Sequence, residues 1–191
     1  MQRMHYMIVF SLIGALSIVG CALSPQVISV HPALDTAALP KDGASATLTL
    51  AVADTRANAI VGYRGGVYET ATITMAEDMA ARVQAELAKA LAARGYRVVS
   101  AGTPANVSLT VEVAALGYDV TQGQVTRTVE VASTIRARSQ GGETTRTGEY
   151  RDTRTREFVR PPADADNSTL INEVLSAALQ RLVADADLFK P

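Results

Sequence analysis

Apolar and polar residues alternate along three stretches of the chain, at 46–53, 107–113 and 125–138. A period of two is typical of strands that bury one face. The second strand is expected to continue to Val120, and a short strand is predicted at 96–100. The predicted inward residues are Ala46, Leu48, Leu50 and Val52, then Val107, Leu109, Val111 and Val113, then Val125, Val129, Val131, Ser133 and Ile135.

Two other stretches, 75–94 and about 167–184, repeat their apolar residues with the period of an amphipathic helix. Thr74 and Glu77 have the spacing of a capping box at the start of the first helix, and Gly95 is a C-terminal stop. The predicted apolar faces are Met79, Val83, Leu87 and Leu91, then Leu170, Ile171, Val174, Leu175, Ala178, Leu179 and Leu182.

Two segments are less regular. Residues 57–73 surround Arg64-Gly65-Gly66 and predict either a loose hairpin or a loop over the sheet. Residues 143–157 are polar on both faces and predict the third strand of a meander, at or near an edge. The pattern favours an α+β two-layer sandwich, with a mostly antiparallel sheet of about 4–6 strands and two amphipathic helices on one face.

An uncharged apolar run at 6–19 follows a short segment that carries one cation, Arg3. This length is typical of a signal peptide and is shorter than the ~20 residues with which a helix crosses a bilayer. Gly20, a small residue, precedes Cys21, the only cysteine. The pattern predicts a signal peptide over residues 1–20 that is cleaved before Cys21.

Cys21 is predicted to carry a covalent lipid. A single cysteine cannot form an intrachain disulfide, and a free thiol would be a liability in the oxidising compartment that exported chains enter. We expect a flexible tether over residues 21–45, followed by one periplasmic α+β domain over 46–191. Within the tether, the apolar patch Val27-Ile28-Ser29-Val30 could pair onto a sheet edge.

The charge balance argues against nucleic acid as a partner. The formal net charge is -1, and removing residues 1–20 takes away Arg3 and no acid, so the mature chain carries -2. Domains that bind nucleic acid usually present concentrated basic surface. The chain has no Trp and only 5% aromatic residues, which also argues against a stacking platform for bases or sugars.

The segment Ile18-Val19-Gly20-Cys21 resembles the lipobox of bacterial lipoproteins, which signal peptidase recognises. The chain as a whole resembles the YajG-like outer-membrane lipoproteins of Gram-negative bacteria, a family without a firmly assigned activity. The resemblance implies an outer-membrane location, which Ala22 after the cysteine also favours, and it supplies no site residues to carry over to this chain. Beyond the lipobox, the resemblance to this family rests on three segments: Ala51-Val52-Ala53-Asp54-Thr55-Arg56, Leu91-Ala92-Ala93-Arg94-Gly95-Tyr96-Arg97-Val98 and Gly117-Tyr118-Asp119-Val120-Thr121-Gln122-Gly123.

Templates for metal and nucleophile chemistry are missing from the sequence. It contains no CxxC, HExxH, Gly-Xaa-Ser-Xaa-Gly or phosphate-loop pattern. His31, the only histidine after the predicted cleavage site, lies in the predicted tether. We therefore expect no metal, no cofactor other than the lipid on Cys21, and no enzymatic activity.

An arginine-rich stretch at 136–160 is the one candidate binding feature. It has seven arginines against four acids, a local charge of +3. One hypothesis is a patch for an anionic envelope partner, either a protein, a glycan or a lipid phosphate. The alternative is an edge strand that is charged so that it does not pair with other chains. The candidate residues are Arg136, Arg138, Arg146, Arg151, Arg154 and Arg156.

These observations predict a non-enzymatic, lipid-anchored periplasmic protein of the outer membrane, acting as a binding or assembly accessory in the cell envelope. Its partners would be the membrane, through the anchor, and an envelope component. One alternative is a carrier of a lipid or other apolar ligand between sheet and helices. Another is a cell-wall enzyme that uses carboxylates such as Glu143, Glu149 or Asp152.

Overall fold

The computed structural model describes residues 23–65, 70–76 and 78–189. The predicted signal peptide, its recognition residues Ile18, Val19 and Gly20, and the lipidation residue Cys21 all lie outside these ranges. No helix within the described residues is long and apolar enough to cross a membrane.

Within the described residues, eight strands form one sheet, and two helices pack against it. The helices are α1 (Met79–Ala93) and α2 (Asp164–Ala184). The strands are β1 (Gln26–Ile28), β2 (Thr47–Asp54), β3 (Ile60–Tyr63), β4 (Thr72–Met75), β5 (Arg97–Val99), β6 (Val107–Gln122), β7 (Arg127–Gly141) and β8 (Thr144–Phe158).

Strand β6 is the centre of the sheet. One of its edges pairs with β7 along almost its whole length, and β7 pairs in turn with β8. Its other edge is shared, because β2 pairs with residues 107–113 and β3 pairs near Tyr118. The sheet continues from β2 to β5 on one branch, and from β3 through β4 to β1 on the other.

The prediction of a mostly antiparallel sheet of about 4–6 strands is wrong, although the α+β class is right. The sheet is mixed, and four of its seven strand pairings are parallel. Alternation along a sequence shows which side chains share a face but does not show which strands are neighbours. Here β5 pairs parallel with β2 although β3, β4 and α1 lie between them in the chain, and parallel pairing always needs such a long crossover connection.

The meander and the helices follow the sequence pattern closely. Strand β8 is the predicted edge strand, since it pairs only with β7. The loose-hairpin alternative for residues 57–73 is confirmed by the antiparallel pair β3–β4. Helix α1 begins later than predicted, because Thr72–Met75 forms β4, and Gly95 ends the helix with a φ of 96°.

The core lies between the helices and one face of the sheet. A bulge between Val113 and Ala115 changes the parity of β6, so Leu116 and Tyr118 point inward after it. Val125, predicted as inward, is 77% exposed because it lies in the β6–β7 turn. Most inward residues of β2, β6, β7 and the helices are fully buried.

The segment predicted as a flexible tether packs on the domain from Ser24 onward. Strand β1 pairs with β4, as the apolar patch suggested. After it, the backbone N–H groups of Ala33 and Asp35 donate to Ser176 and Gln180 of α2, at 3.0 and 2.8 Å. Ile28, Val30 and Leu39 are buried in the common core.

A fully buried arginine joins the ends of both helices. The Arg94 Nε donates to Asp42 at 3.0 Å, and its Nη1 donates to the carbonyl of Val183 at 2.7 Å. Its guanidinium also lies 4.1 Å from the centre of the Phe189 ring. Arg94 belongs to the Leu91–Val98 motif quoted above, so that motif has a structural role.

Candidate functional site

The three long strands β6, β7 and β8 have two unlike faces. On β7 the odd-numbered residues from Val129 to Ser139 are buried under α2, whereas the even-numbered residues point away from the helices. No element among the described residues covers that second face, which we call the uncovered face. It carries Thr110, Glu112, Arg136, Arg138, Thr147, Glu149 and Arg151.

The structure separates the six candidate arginines into two groups of three. The register pairs Arg136 with Glu149 and Arg138 with Thr147, and it pairs Thr134 with Arg151, so these three arginines share the uncovered face. The partners of the other three on β7 are Ser139, Val131 and Val129, all inward residues. Arg146, Arg154 and Arg156 therefore lie on the helix side, and no single patch contains all six.

The helix-side group includes a structural ion-pair cluster. The side chain of Asp152, only 6% exposed, accepts from Arg154 at 3.0 Å and from Arg181 of α2 at 2.6 Å. Arg156 lies 3.4 Å from Glu173, also on α2. The pairs of Asp152 with Arg181 and of Arg156 with Glu173 join the edge strand to α2.

On the uncovered face, Glu149 lies between two arginines, with Arg136 at 2.9 Å and Arg151 at 2.5 Å. The hydrogen bond from Arg136 lowers the pKa of Glu149 below its ordinary value. All three side chains are well exposed, and exposed pairs of this kind contribute little to stability. The cluster therefore places two positive charges and one negative charge on an accessible surface.

Arg138 differs from its neighbours because it makes no ion pair with any described residue. Its side chain is exposed and contributes to a depression of about 440 Å³ on the uncovered face. The depression is lined by Thr110, Glu112, Arg136, Ala137, Arg138, Thr147, Gly148 and Glu149. Hydroxyls and an unpaired guanidinium around a concave surface can bind a carboxylate or a phosphate.

The carboxylates considered for enzymatic chemistry do not converge. Glu143 lies in the β7–β8 turn, Glu149 is on the uncovered face, and Asp152 points to the helix side. A general acid needs a raised pKa, whereas the pKa of Glu149 is lowered. Within the part of the chain that the structure describes, no three His, Cys, Asp or Glu residues are placed to hold a metal ion.

The sequence reasoning missed a second polar cluster, at the end of the sheet where β6 finishes. The buried guanidinium of Arg64 donates to the carbonyls of Ser24 and Pro162, at 3.0 and 2.9 Å. Nearby, the hydroxyl of Tyr118 donates to Asn167 at 2.7 Å, and burial raises the pKa of Tyr118 to about 12. The only sign of this cluster in the sequence was Arg64 next to Gly65, and that pair indicated only a turn.

Comparison with known families gives one match that spans most of the chain. The model of a family described as "Uncharacterized lipoprotein" matches residues 32–190. The matched segment begins within the stretch that packs on α2 and includes both helices. A search of curated proteins gave no match.

Among solved structures, a protein of the DUF330 family from Xanthomonas campestris has a TM-score of 0.53 at 15% identity, over 83% of this chain and 93% of that chain. A homologue of neuraminyllactose-binding hemagglutinin from Helicobacter pylori has a TM-score of 0.44 at 13% identity, over 76% and 86%. Lipoprotein GNA1162 from Neisseria meningitidis has a TM-score of 0.35 at 11% identity, over 73% and 99%. Only the first is similar enough to support the architecture, and it supports no function.

Proposed function

The chain belongs to the family of uncharacterised lipoproteins whose model spans residues 32–190, and from this premise we propose that it is a non-enzymatic, lipid-anchored binding module of the cell envelope. The lipid is on Cys21, and the domain faces the periplasm from the outer membrane. The uncovered face binds an envelope component that presents an anionic group. The observation that carries this binding role is the unpaired Arg138 in an accessible depression.

Support for the anchor comes from the family match and from the order of features before Cys21. Arg3, the apolar run at 6–19 and Gly20 precede the cysteine as they do in exported lipoproteins. Ala22 and the YajG-like motifs favour the outer membrane. The covalent lipid is the only prosthetic group in this proposal.

Support for the binding role comes from the contrast between the two faces of the sheet. One face is closed by α1 and α2, with inward side chains such as Leu109, Val111 and Ile135 at 0% exposure. The other face is open over three long strands and is rich in Thr, Arg and Glu. A polar, open sheet face of this size can accept a macromolecular partner without a change in the fold.

The carrier alternative is disfavoured by the same contrast. An apolar ligand needs space between sheet and helices, and the buried residues there are closely packed. The depression on the uncovered face is lined by charged and hydroxyl-bearing residues. The enzyme alternative is disfavoured because its three carboxylates are dispersed over two faces and a turn.

Labelling in cells tests the anchor. The protein with Cys21 should incorporate labelled palmitate and should sediment with outer membranes in a density gradient. The Cys21→Ser variant should lose the label and leave the membrane fraction. Equal labelling of both proteins would refute lipidation at Cys21, and a labelled protein in the inner-membrane fraction would refute the outer-membrane location.

Photo-crosslinking in cells tests the binding face. A photoreactive amino acid at Thr147, the register partner of Arg138, should give discrete adducts. The Arg138→Glu change should weaken them roughly tenfold, which corresponds to about 1.4 kcal/mol. Muramidase digestion distinguishes a glycan partner, whose adducts collapse, from a protein partner, whose adducts keep their mass.

The matched control places the same photoreactive residue at Lys89, which is exposed on α1. Adducts that are identical at the two positions, or that persist unchanged with Arg138→Glu, would count against a binding role for the uncovered face. Neither result would affect the lipid anchor, which the palmitate experiment tests separately.

A further inference from the structure

The ends of several strands meet at one end of the sheet. Strand β6 finishes there at Gln122, β7 starts at Arg127, and the register pairs Arg127 with Phe158 at the end of β8. Strand β3, parallel to β6, finishes at the same end with Tyr63. We call this region the anchor end: Tyr63, residues 122–127 and residues 158–162.

The segment that follows Cys21 is fixed to this end. One guanidinium, that of Arg64, donates to the carbonyls of both Ser24 and Pro162. Ser24 is three residues after Cys21, so the two Cα atoms are at most about 11 Å apart. A lipid on Cys21 therefore enters the bilayer beside the anchor end, and a long tether does not separate them.

The anchor end also carries exposed apolar side chains. Val125 is 77% exposed, Val159 is 80% exposed and Tyr63 is 37% exposed. Together with Val27, which is three residues after Ser24, they are all the exposed large hydrophobic residues in the described ranges. Scattered exposed apolar residues need no explanation, but these four lie on the side of the molecule that the lipid approaches.

Cationic side chains accompany these apolar residues. Arg160 follows Val159 directly, is exposed, and makes no ion pair with any described residue. Arg127 lines the adjoining cavity of about 740 Å³, and its Nη1, which is buried, has no hydrogen-bond partner among the described residues. Valine, tyrosine and arginine side by side suit the boundary between lipid headgroups and acyl chains.

We propose that the anchor end rests on the bilayer surface, with Val125 and Val159 in the headgroup region and Arg160 at lipid phosphates. This inference rests on the lipid anchor of the proposed function. The lipid supplies the affinity, and the protein contact sets the orientation. The long strands then stand away from the membrane, and Arg138, eleven residues along β7 from Arg127, lies up to about 37 Å above it.

The test uses the full lipidated protein in vesicles of phosphatidylethanolamine and phosphatidylglycerol. Because the lipid blocks Cys21, a cysteine introduced by Val125→Cys or Val159→Cys can be labelled alone with a spin probe. The control is Glu143→Cys, in the β7–β8 turn at the opposite end of the sheet. Probes at 125 and 159 should be relaxed by a lipid-soluble agent, whereas the probe at 143 should respond only to a water-soluble agent.

A second variant separates orientation from attachment. Val125→Asp combined with Val159→Asp changes two exposed residues and should leave folding and membrane recovery unchanged. Energy transfer from a fluorophore at residue 143 to acceptors in the bilayer should rise at least twofold as the domain loses its fixed orientation. The matched control is Thr145→Asp, at the far end, which should change nothing.

Two results would overturn the inference, and they are distinguishable. If the protein sediments with vesicles but the probes at 125 and 159 respond like the probe at 143, the membrane contact is wrong and the anchor stands. If no variant sediments with vesicles, the anchor fails and the contact fails with it.

Discussion

At the scale of single residues, the buried arginines hold the fold together more than the exposed ones do. Arg94 is fully buried and donates to the carboxylate of Asp42 and to two carbonyls at the end of α2, those of Val183 and Asp185. Arg138 is exposed and has no ion pair with a described residue. From the sequence, the exposed arginines are the candidates and Arg94 has no assigned role. A run of charge is visible in a sequence, whereas the burial of one arginine depends on tertiary packing.

Replacing Arg94 should therefore destabilise the protein strongly. Arg94→Met leaves the carbonyl of Val183 and the carboxylate of Asp42 without their donor, and we expect a loss of about 3 kcal/mol in the free energy of unfolding. Arg82→Met removes an exposed pair with Asp78 and should cost less than about 1 kcal/mol. Urea midpoints at constant m-value measure the loss of stability in both variants. Equal losses would contradict the claim that buried Arg94 stabilises the fold more than an exposed arginine does.

The pair of Tyr150 and Asp185 should give the stability a specific pH dependence. The tyrosine hydroxyl donates to the carboxylate at 2.7 Å. Burial tends to raise the pKa of Asp185, but this bond and those from Leu188 and Asp187 outweigh it and hold the pKa below the ordinary value. The stabilisation is present above the unfolded pKa of about 3.9 and is lost as the pH falls through the folded pKa.

Asp185→Asn should thus be less stable than the wild type by a constant amount between about pH 5 and 8, and the difference should shrink below about pH 4. Urea unfolding across this range measures the difference. Glu143→Gln, in the exposed β7–β8 turn, is the matched control. A difference for Asp185→Asn that stays constant down to pH 2 would contradict the assignment.

At the scale of elements, the sequence predicts faces well and neighbours poorly. Periodicity predicts the inward residues Leu109, Val111 and Val113 of β6 and the C-terminal limit of α2. The edge position of β8 follows from its polarity on both faces. The parallel pairs β1–β4, β2–β5 and β2–β6 do not, because hydrophobic alternation is the same whichever strand lies alongside. The candidate arginines show the same limit of sequence reasoning. Alternation along β8 places Arg151 and Arg154 on opposite faces, but only the pairing with β7 shows which face is covered by helices.

The single residue pair that joins β3 to β6 depends on a glycine. A Cβ atom on Gly62 would overlap the backbone oxygen of Tyr118. Because that oxygen belongs to the central strand, Gly62→Ala should separate β3 from β6 and cost about 3 kcal/mol or more. Gly117 lies in β6, and a Cβ atom there would meet no atom within 4 Å, so Gly117→Ala should be nearly neutral in urea unfolding. Similar losses for both variants would contradict this account.

At the scale of the whole molecule, packing of residues 24–39 changes how the domain can act. A chain of 24 relaxed residues would let the domain range widely, with a limit of roughly 80 Å when fully extended. In the structure the segment is already held at Ser24, three residues after Cys21, because the Ser24 carbonyl accepts from Arg64. The sequence indicated only that the apolar patch at 27–30 could pair with the sheet. It could not show that the rest of the segment packs, because Pro, Ser and Thr are as common in packed coil as in linkers.

If residues 24–39 are part of the fold, their inward side chains must contribute to its stability. Val30 is 1% exposed and belongs to the core, whereas Val27, in the same segment, is 72% exposed. Val30→Ala should lower the free energy of unfolding by about 1.5–2.5 kcal/mol, and Val27→Ala should change it by less than about 0.5 kcal/mol. A slack tether predicts no loss for either variant. Urea unfolding of the two proteins therefore decides whether residues 24–39 hold the domain close to its anchor or form a flexible tether. Only a closely held domain can keep Arg138 at a set distance from the membrane.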